Sequence, residues 1–375
     1  QGEGTIPMAL VIEFASSIWT VDCAGSPREI GRAHGETARM AIDLGWRNWS
    51  AAIAERHGMD ADAYLKTFFG STDYLPAIRA YAPDLLEEIE GIAEGSEQRP
   101  ERILALNLLD EEWEYSKRGR KAPGCTVAAV ADGTLKVPVL GQTMDIPSVH
   151  DGTQLALRIR PKDGPAVIVF AFAGMIGLMG CNEAGVGVVV NNLEVLPASK
   201  TGLPVSFVMR GILARRTLSA AANFVRDTPH ATGQHYAIGA PDGFRAFEAW
   251  GGGVEDVPVR AGSYVHANHP LAASGLRLDP KATYAASRTL ERQAVTEASA
   301  PQAHDQAGLE QVLMDTTAPV SREIGDGYMT FGAISMTLSA PPVVHIAPGP
   351  PHRTEWSEVG WEPGPTGQLT ATPTA

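Results

Sequence analysis

A cysteine at position 125, directly behind Pro123-Gly124, sits where this chain changes character. Upstream runs a basic, turn-prone stretch, Lys117-Arg118-Gly119-Arg120-Lys121. Downstream, Thr126 to Val130 is apolar and rich in β-branched residues, Asp132-Gly133 makes a turn, and Val137 to Leu140 begins a second strand. A cysteine that opens a strand behind glycine suits a peptide bond that cleaves itself. Gly124 adds no side chain to hinder attack by the Cys125 sulfur on the carbonyl before it. Once that bond is broken, Cys125 carries a thiol and a free α-amine on one residue. Such an amine titrates near pH ~8 in model compounds, so it can act as a general base at neutral pH. Nucleophile and base then come from a single residue. The competing reading is a small apolar residue at the head of a buried strand.

Composition narrows the classes. With 375 residues, 44% hydrophobic and 19% charged, the chain is globular and long enough for one large or two ordinary domains. Its net charge is -13, from 30 Lys+Arg against 43 Asp+Glu, which argues against nucleic acid or an anionic membrane surface as partner. The three cysteines, Cys23, Cys125 and Cys181, do not form a disulfide framework, so a reducing compartment is expected. No apolar run approaches the ~20 residues of a membrane span. Met8 to Ile12 is apolar, but Glu13 interrupts it and no basic segment precedes it. The expectation is a cytoplasmic protein with small-molecule partners, and a homo-oligomer is left open.

Met8 to Val21 reads as strand. In Gly25–Glu36, Ser26 fits a helix N-cap, Pro27 the first helical position and Glu29 an acidic first turn, while Gly31 and Gly35 offer a face for close approach. Helical patterns continue through Thr37–Glu55, Asp60–Phe69, Leu75–Arg79, Pro83–Glu94 and Pro100–Leu109. From Cys125 the pattern turns to strands. Thr153–Arg160 alternates as a half-buried antiparallel strand, Lys162-Asp163-Gly164 turns, and Ala166–Ala173 is wholly apolar. A turn at Cys181–Gly185 leads to the strand Val186–Asn191. Pro204–Arg226 reads as helical, Gln234–Ala240 and Phe244–Trp250 as a hairpin, and Tyr264–Pro270 as a strand ending in a loop. Thr283–Glu297 is a predicted helix, Met329–Met336 and Pro342–Ile346 are late strands, and residues 360–375 read as a flexible tail. The glycines at 174, 177 and 180 match no phosphate-loop spacing, so no nucleotide cofactor is expected. His34, His266, His269 and Cys181 lack the spacing of a zinc motif, and no metal is expected either.

Several residues line up behind Cys125: Gly141-Gln142-Thr143-Met144-Asp145, Asn182-Glu183-Ala184-Gly185 with Asn192, Asn268 in His266–Pro270, and Arg288 in Ser287-Arg288. In these the chain resembles the acyl-coenzyme A:6-aminopenicillanic acid acyltransferase branch of the N-terminal-nucleophile hydrolases. The resemblance runs from Gly25–Gly35 to Gly349-Pro350-Pro351 and is most specific at Gly124-Cys125-Thr126 with Gly141-Gln142-x-x-Asp145. A more distant branch, the penicillin V acylases and bile-salt hydrolases, has arginine where this chain has Gln142. The acyltransferase has Gln-Asn-Trp-Asp where this chain has Gln142-Thr143-Met144-Asp145. Neither bile salts nor penicillins are therefore implied as substrates.

The resemblance implies an α+β fold, a four-layer αββα sandwich of antiparallel sheets, as one compact domain. It implies cleavage between Gly124 and Cys125 into a helical segment, 1–124, and a nucleophile-bearing chain, 125–375. Cys125 would be the nucleophile and Asp145 would hold its α-amine. Asn268, with a backbone N–H near Asn192, would stabilise an oxyanion, and Arg288 would orient the thiolate or a neighbouring carboxylate. The expected activity is hydrolysis of a small amide or N-acyl amino compound through a Cys125 thioester. Acyl transfer from a thioester such as acyl-CoA, and a non-catalytic binding protein on the same fold, are the alternatives.

Overall fold

The computed structural model describes residues 18–116, 124–131, 135–259, 262–273, 287–325 and 327–362. Residues Met8–Ser17 of the strand expected over Met8–Val21, the turn at Asp132-Gly133, the start of the predicted Thr283–Glu297 helix and the tail beyond 362 lie outside them. Eight strands form one sheet, in the order β1 (Thr20–Gly25), β4 (Gln154–Pro161), β5 (Val167–Phe172), β6 (Met179–Asn182), β7 (Gly187–Asn192), β8 (Gln234–Ala240), β9 (Gly243–Trp250) and β10 (Gly253–Asp256). Six form the other: β11 (Gly262–His266), β2 (Thr126–Ala131), β3 (Val139–Pro147), β12 (Tyr328–Thr337), β13 (Val343–Ala347) and β14 (Ser357–Glu358). Among the described strands of these sheets, only β1 beside β4 runs parallel to its neighbour.

The first third is helical, as the patterns require: α1 (Pro27–Thr37), α2 (Arg39–His57), α3 (Ala61–Gly70), α4 (Leu75–Tyr81), α5 (Pro83–Ser96), α6 (Pro100–Leu106) and α7 (Leu109–Tyr115). Ser26 caps α1 in a capping box: its hydroxyl accepts from Glu29 N at 3.4 Å while Glu29 Oε2 accepts from Ser26 N at 2.9 Å. The small face of α1 meets α5. A Cβ at Gly31, Gly35, Gly91 or Gly95 would overlap a backbone carbonyl oxygen of the opposite helix, so the two backbones touch. Two further helices, α8 (Val205–Leu213) and α9 (Leu218–Asp227), pack on the eight-stranded sheet, and α10 (Thr289–Ser299) and α11 (Gln306–Leu313) on the six-stranded one. The single predicted helix over Pro204–Arg226 is thus two, because Thr217 starts a new one by accepting from Ala220 N at 3.2 Å.

The inner faces of the sheets meet through β2 and β3 against β7 and through β12 against β6. Phe170 on β5 packs on Phe331 of β12 at 5.4 Å between ring centroids. Strands covered on both sides carry continuous apolar runs, which is why β5 and β2 do not alternate. The predicted half-buried strand β4 is mostly buried as well, since Arg158 is drawn in by Asp22 of β1, with Nε–Oδ1 2.5 Å and Nη2–Oδ2 2.9 Å. Gln142 on β3 reaches across the sandwich, donating to Val190 O and accepting from Val190 N at 2.9 Å. Among the described residues no helix is long and apolar enough to cross a membrane.

Candidate active site

Cys125 immediately precedes β2, at the point where this strand enters between its neighbours β11 and β3. Its sulfur is buried, 3.5 Å from Met144 Sδ and 3.7 Å from Asp145 O. Desolvation, and then the charge of Asp145, push the thiol up to about 12, so at neutral pH it keeps its proton until a base takes it. Antiparallel pairing of β2 with β3 sets Thr126 opposite Thr143 and so brings Asp145 beside Cys125.

Asp145 is fully buried. Its Oδ1 accepts from Thr330 Oγ1, its cross-strand neighbour on β12, at 2.6 Å. Among the described residues its Oδ2 has no hydrogen-bond partner, with Arg322 Nε 3.7 Å away. That oxygen lies 3.0 Å from where a side chain on Gly124 would begin. An orphaned carboxylate oxygen therefore faces the Gly124–Cys125 junction. Burial, against the pull of Arg322 and Thr330, raises Asp145 to about 6.

Asn268 follows β11. Its Oδ1 accepts from Arg292 Nη2 at 2.9 Å, and its Nδ2 donates to Asn192 O at 3.0 Å. Its loop is fixed by Glu248 on β9, which accepts N–H groups from Leu271, Ala272 and Ala273 at 2.5, 3.0 and 2.8 Å and meets His266 Nε2 at 3.0 Å. Asn192 ends β7 with its Nδ2 donating to Asp110 Oδ1 at 2.6 Å. Asn182, the other asparagine of the predicted set, holds the β6–β7 turn, accepting from Ala184 N and Val186 N at 3.0 and 3.1 Å.

Arg288 does not reach this cluster. It precedes α10 with a left-handed φ of 51°, is exposed, and pairs with Glu291. One helical turn on, Arg292 takes the place the sequence reading gave to Arg288. Fully buried, it donates from Nη1 to Cys125 O at 2.5 Å and Thr126 Oγ1 at 2.9 Å, and from Nε to Ser287 O at 2.9 Å. Residues four apart share a helix face, but Arg288 is the cap and turns outward. The signal for Arg292 was the buried polar stripe Thr289, Arg292, Gln293, Thr296 at helical spacing. Asp110, Arg322 and Thr330 were also missed, because strand pairing and an adjacent helix deliver them from distant sequence.

Cys125 opens onto a narrow pocket of about 30 Å³. Its walls are mainly apolar, among them Trp113, Met144, Met175 and Met209, with Asp110, Asn192, Ser206 and Gln234 as polar lining. His34 is a packed residue whose Nε2 accepts from Gly174 N at 3.1 Å. His266 is held by Glu248, and His269 Nδ1 lies 3.0 Å from Thr289 Oγ1. Among the described residues no three His, Cys, Asp or Glu side chains are placed to hold a metal, and Cys23, Cys125 and Cys181 are all free thiols.

Helices outside two face-to-face, mainly antiparallel sheets, with a cysteine at the head of an inner strand, define a four-layer αββα architecture. Within it, the chain belongs to the acyl-coenzyme A:6-aminopenicillanic acid acyltransferase family, which it matches over residues 132–342, more than half its length. The 40 kDa form of acyl-coenzyme A:6-aminopenicillanic-acid-acyltransferase from Emericella nidulans is 28% identical over 270 residues, 68% of this chain and 70% of that protein. Among solved structures, a mutant of conjugated bile acid hydrolase from Clostridium perfringens aligns with a TM-score of 0.41 and 15% identity, covering 59% of this chain and 88% of that one. Penicillin V acylase from Agrobacterium tumefaciens aligns with a TM-score of 0.37 and 12% identity, over 59% and 82%.

Proposed function

We propose that this chain is a self-processing cysteine amidohydrolase that cleaves a small amide or N-acyl amino compound through a thioester on Cys125. The observation that carries the reading is the orphaned, fully buried Asp145 Oδ2 facing the Gly124–Cys125 junction. In the processed protein the new α-ammonium would be its partner. Processing itself would begin with Cys125 Sγ attacking the Gly124 carbonyl. The acyl group moves from nitrogen to sulfur, and water then cleaves the thioester, leaving a Gly124 carboxylate and a free amine.

In turnover the α-amine takes the thiol proton as the sulfur adds to the substrate carbonyl. Asn268 Nδ2 and the Asn192 backbone N–H are the proposed donors to the oxyanion. The ammonium returns its proton to the departing amine, and water releases the acid. Arg292 fixes the Cys125 carbonyl and Asn268 together, and its charge offsets that of Asp145. Both parts of the chain supply the site, since Asp110 and Trp113 come from 1–124. The name of the Emericella relative favours a second reading, transfer of the acyl group to an amine with a CoA thioester as donor.

The test is to incubate processed protein with a panel of N-acyl amides, quench in acid and weigh the Cys125-bearing fragment. An acyl adduct that decays in water supports hydrolysis. An adduct formed only from acyl-CoA, and discharged only by an amine, supports transfer. No adduct from any donor would contradict both and leave a binding protein.

A further inference from the structure

Asp110 stands in the first turn of α7 and lines the same pocket as the Cys125 sulfur. It is partly accessible, and its two hydrogen-bond partners, Asn192 and Gln234, are neutral. Among the described residues no cation pairs with it. The rest of the pocket wall is mainly apolar, so a charge on Asp110 has neutral hydrogen-bond partners and no counter-charge among the described residues, a costly arrangement unless a ligand completes it. Burial raises Asp110, against the hydrogen bonds from Asn192 and Gln234 that favour its charged form, and burial together with the charge of Asp110 holds the adjacent Glu111 up to about 8. Asp110 also acts electrostatically on Cys125.

We propose that Asp110 is the specificity-determining residue of the pocket and selects a short substrate group ending in a protonated amine. This rests on the amidohydrolase reading and names its substrate class: amides of short amino acids with the ammonium at the far end from the carbonyl. The narrow pocket of about 30 Å³ that Asp110 and Cys125 both line suits a short chain of that kind and disfavours a bulky acyl group. An anionic group would meet repulsion there, and a neutral alkyl group would leave the carboxylate without a partner.

The test uses thiol reagents, so it does not depend on turnover. Processed wild-type protein is treated with 2-aminoethyl, propyl and 2-sulfonatoethyl methanethiosulfonate. In each case the Cys125 thiolate displaces methanesulfinate and forms a mixed disulfide. The rate at Cys125 is read by peptide mass and divided by the rate with free cysteine. The expected order is aminoethyl, then propyl, then sulfonatoethyl, with about a 10-fold step between the first two. In Asp110→Asn, which keeps an oxygen for Asn192, that step collapses toward one, and in Asp110→Glu it is retained. Equal rates in the wild type, or a ranking unmoved by Asp110→Asn, would overturn the proposal. If Asp110→Asn does not fold, Asp110→Ser takes its place, with the same collapse of the step expected and an unmoved ranking overturning the proposal. In parallel, 3-aminopropanoyl and butanoyl 4-nitroanilides are compared by kcat/KM, with the ammonium substrate favoured. If neither anilide is cleaved while the reagent ranking follows residue 110, the amidohydrolase reading fails and the charge selection stands.

Discussion

Arg292 is the largest of the fully buried side chains, and each nitrogen of its guanidinium has an acceptor. A lysine has no planar fork and cannot serve Cys125 O, Thr126, Ser287 and Asn268 together. Arg292→Lys is therefore expected to slow Gly124–Cys125 processing or amide turnover by about 100-fold or more. Arg292→Ala would also leave Asn268 without its anchor and lower stability by about 3–5 kcal/mol, as for a broken buried charge network. Arg288→Ala, at an exposed cap, is expected within about 0.5 kcal/mol of wild type and with normal processing. Urea titration and intact mass of these variants check all of this. The contrast also marks what was legible. A glycine before a strand-opening cysteine, Cys125, and a carboxylate near a strand end, Asp145, are local patterns whose roles the family resemblance implied, and the structure sets the two side by side. Choosing between Arg288 and Arg292 needs the direction of a helix face and the position of its cap, and the start of the predicted helix falls outside the described residues.

At the scale of elements, α1 and α5 depend on touching backbones. Valine at Gly91 would push against Arg28 O and Arg32 N, both backbone atoms with no freedom to rotate away. Gly91→Val is expected to cost about 3 kcal/mol, read as a lower urea midpoint with an unchanged m-value. The close approach was legible from Gly31 and Gly35, because small residues one helical turn apart mark a face. Its partner α5 was not, since nothing local tells which helix will dock. Strand positions were legible from apolar runs, and their order in two sheets was not. Pairing of β3 with β12, which delivers Thr330 to Asp145, joins residues 185 apart in sequence.

For the whole molecule, buried neutral histidines couple folding to acid. Burial holds His34 down to about 3 and His150 and His230 down to about 4, against 6.5 when free. Their folded values are depressed, so their contribution is complete above 6.5 and is lost as the unfolded chain gains protons below it. Asp145 and Glu111 act oppositely, because their folded values are raised to about 6 and about 8 and the native state holds those protons more tightly. His235 and His269 are held low in the same way and Asp110 is held high, so with five histidines against three carboxyls stability is expected to fall as pH drops from 6.5 toward 4.5. His150→Phe, stacked on Phe172, should make that fall shallower in denaturant titrations across the range.

The proposed chemistry begins with a bond that breaks itself, and mass under denaturing conditions reads it directly. Wild-type protein, Cys125→Ala and Asp145→Asn would be expressed, denatured and weighed intact. Two fragments meeting at Gly124/Cys125 in the wild type, a single chain in Cys125→Ala and slowed conversion in Asp145→Asn is the predicted result. One full-length species in all three, after prolonged incubation at neutral pH, would contradict the assignment of Cys125 as a nucleophile released by its own cleavage.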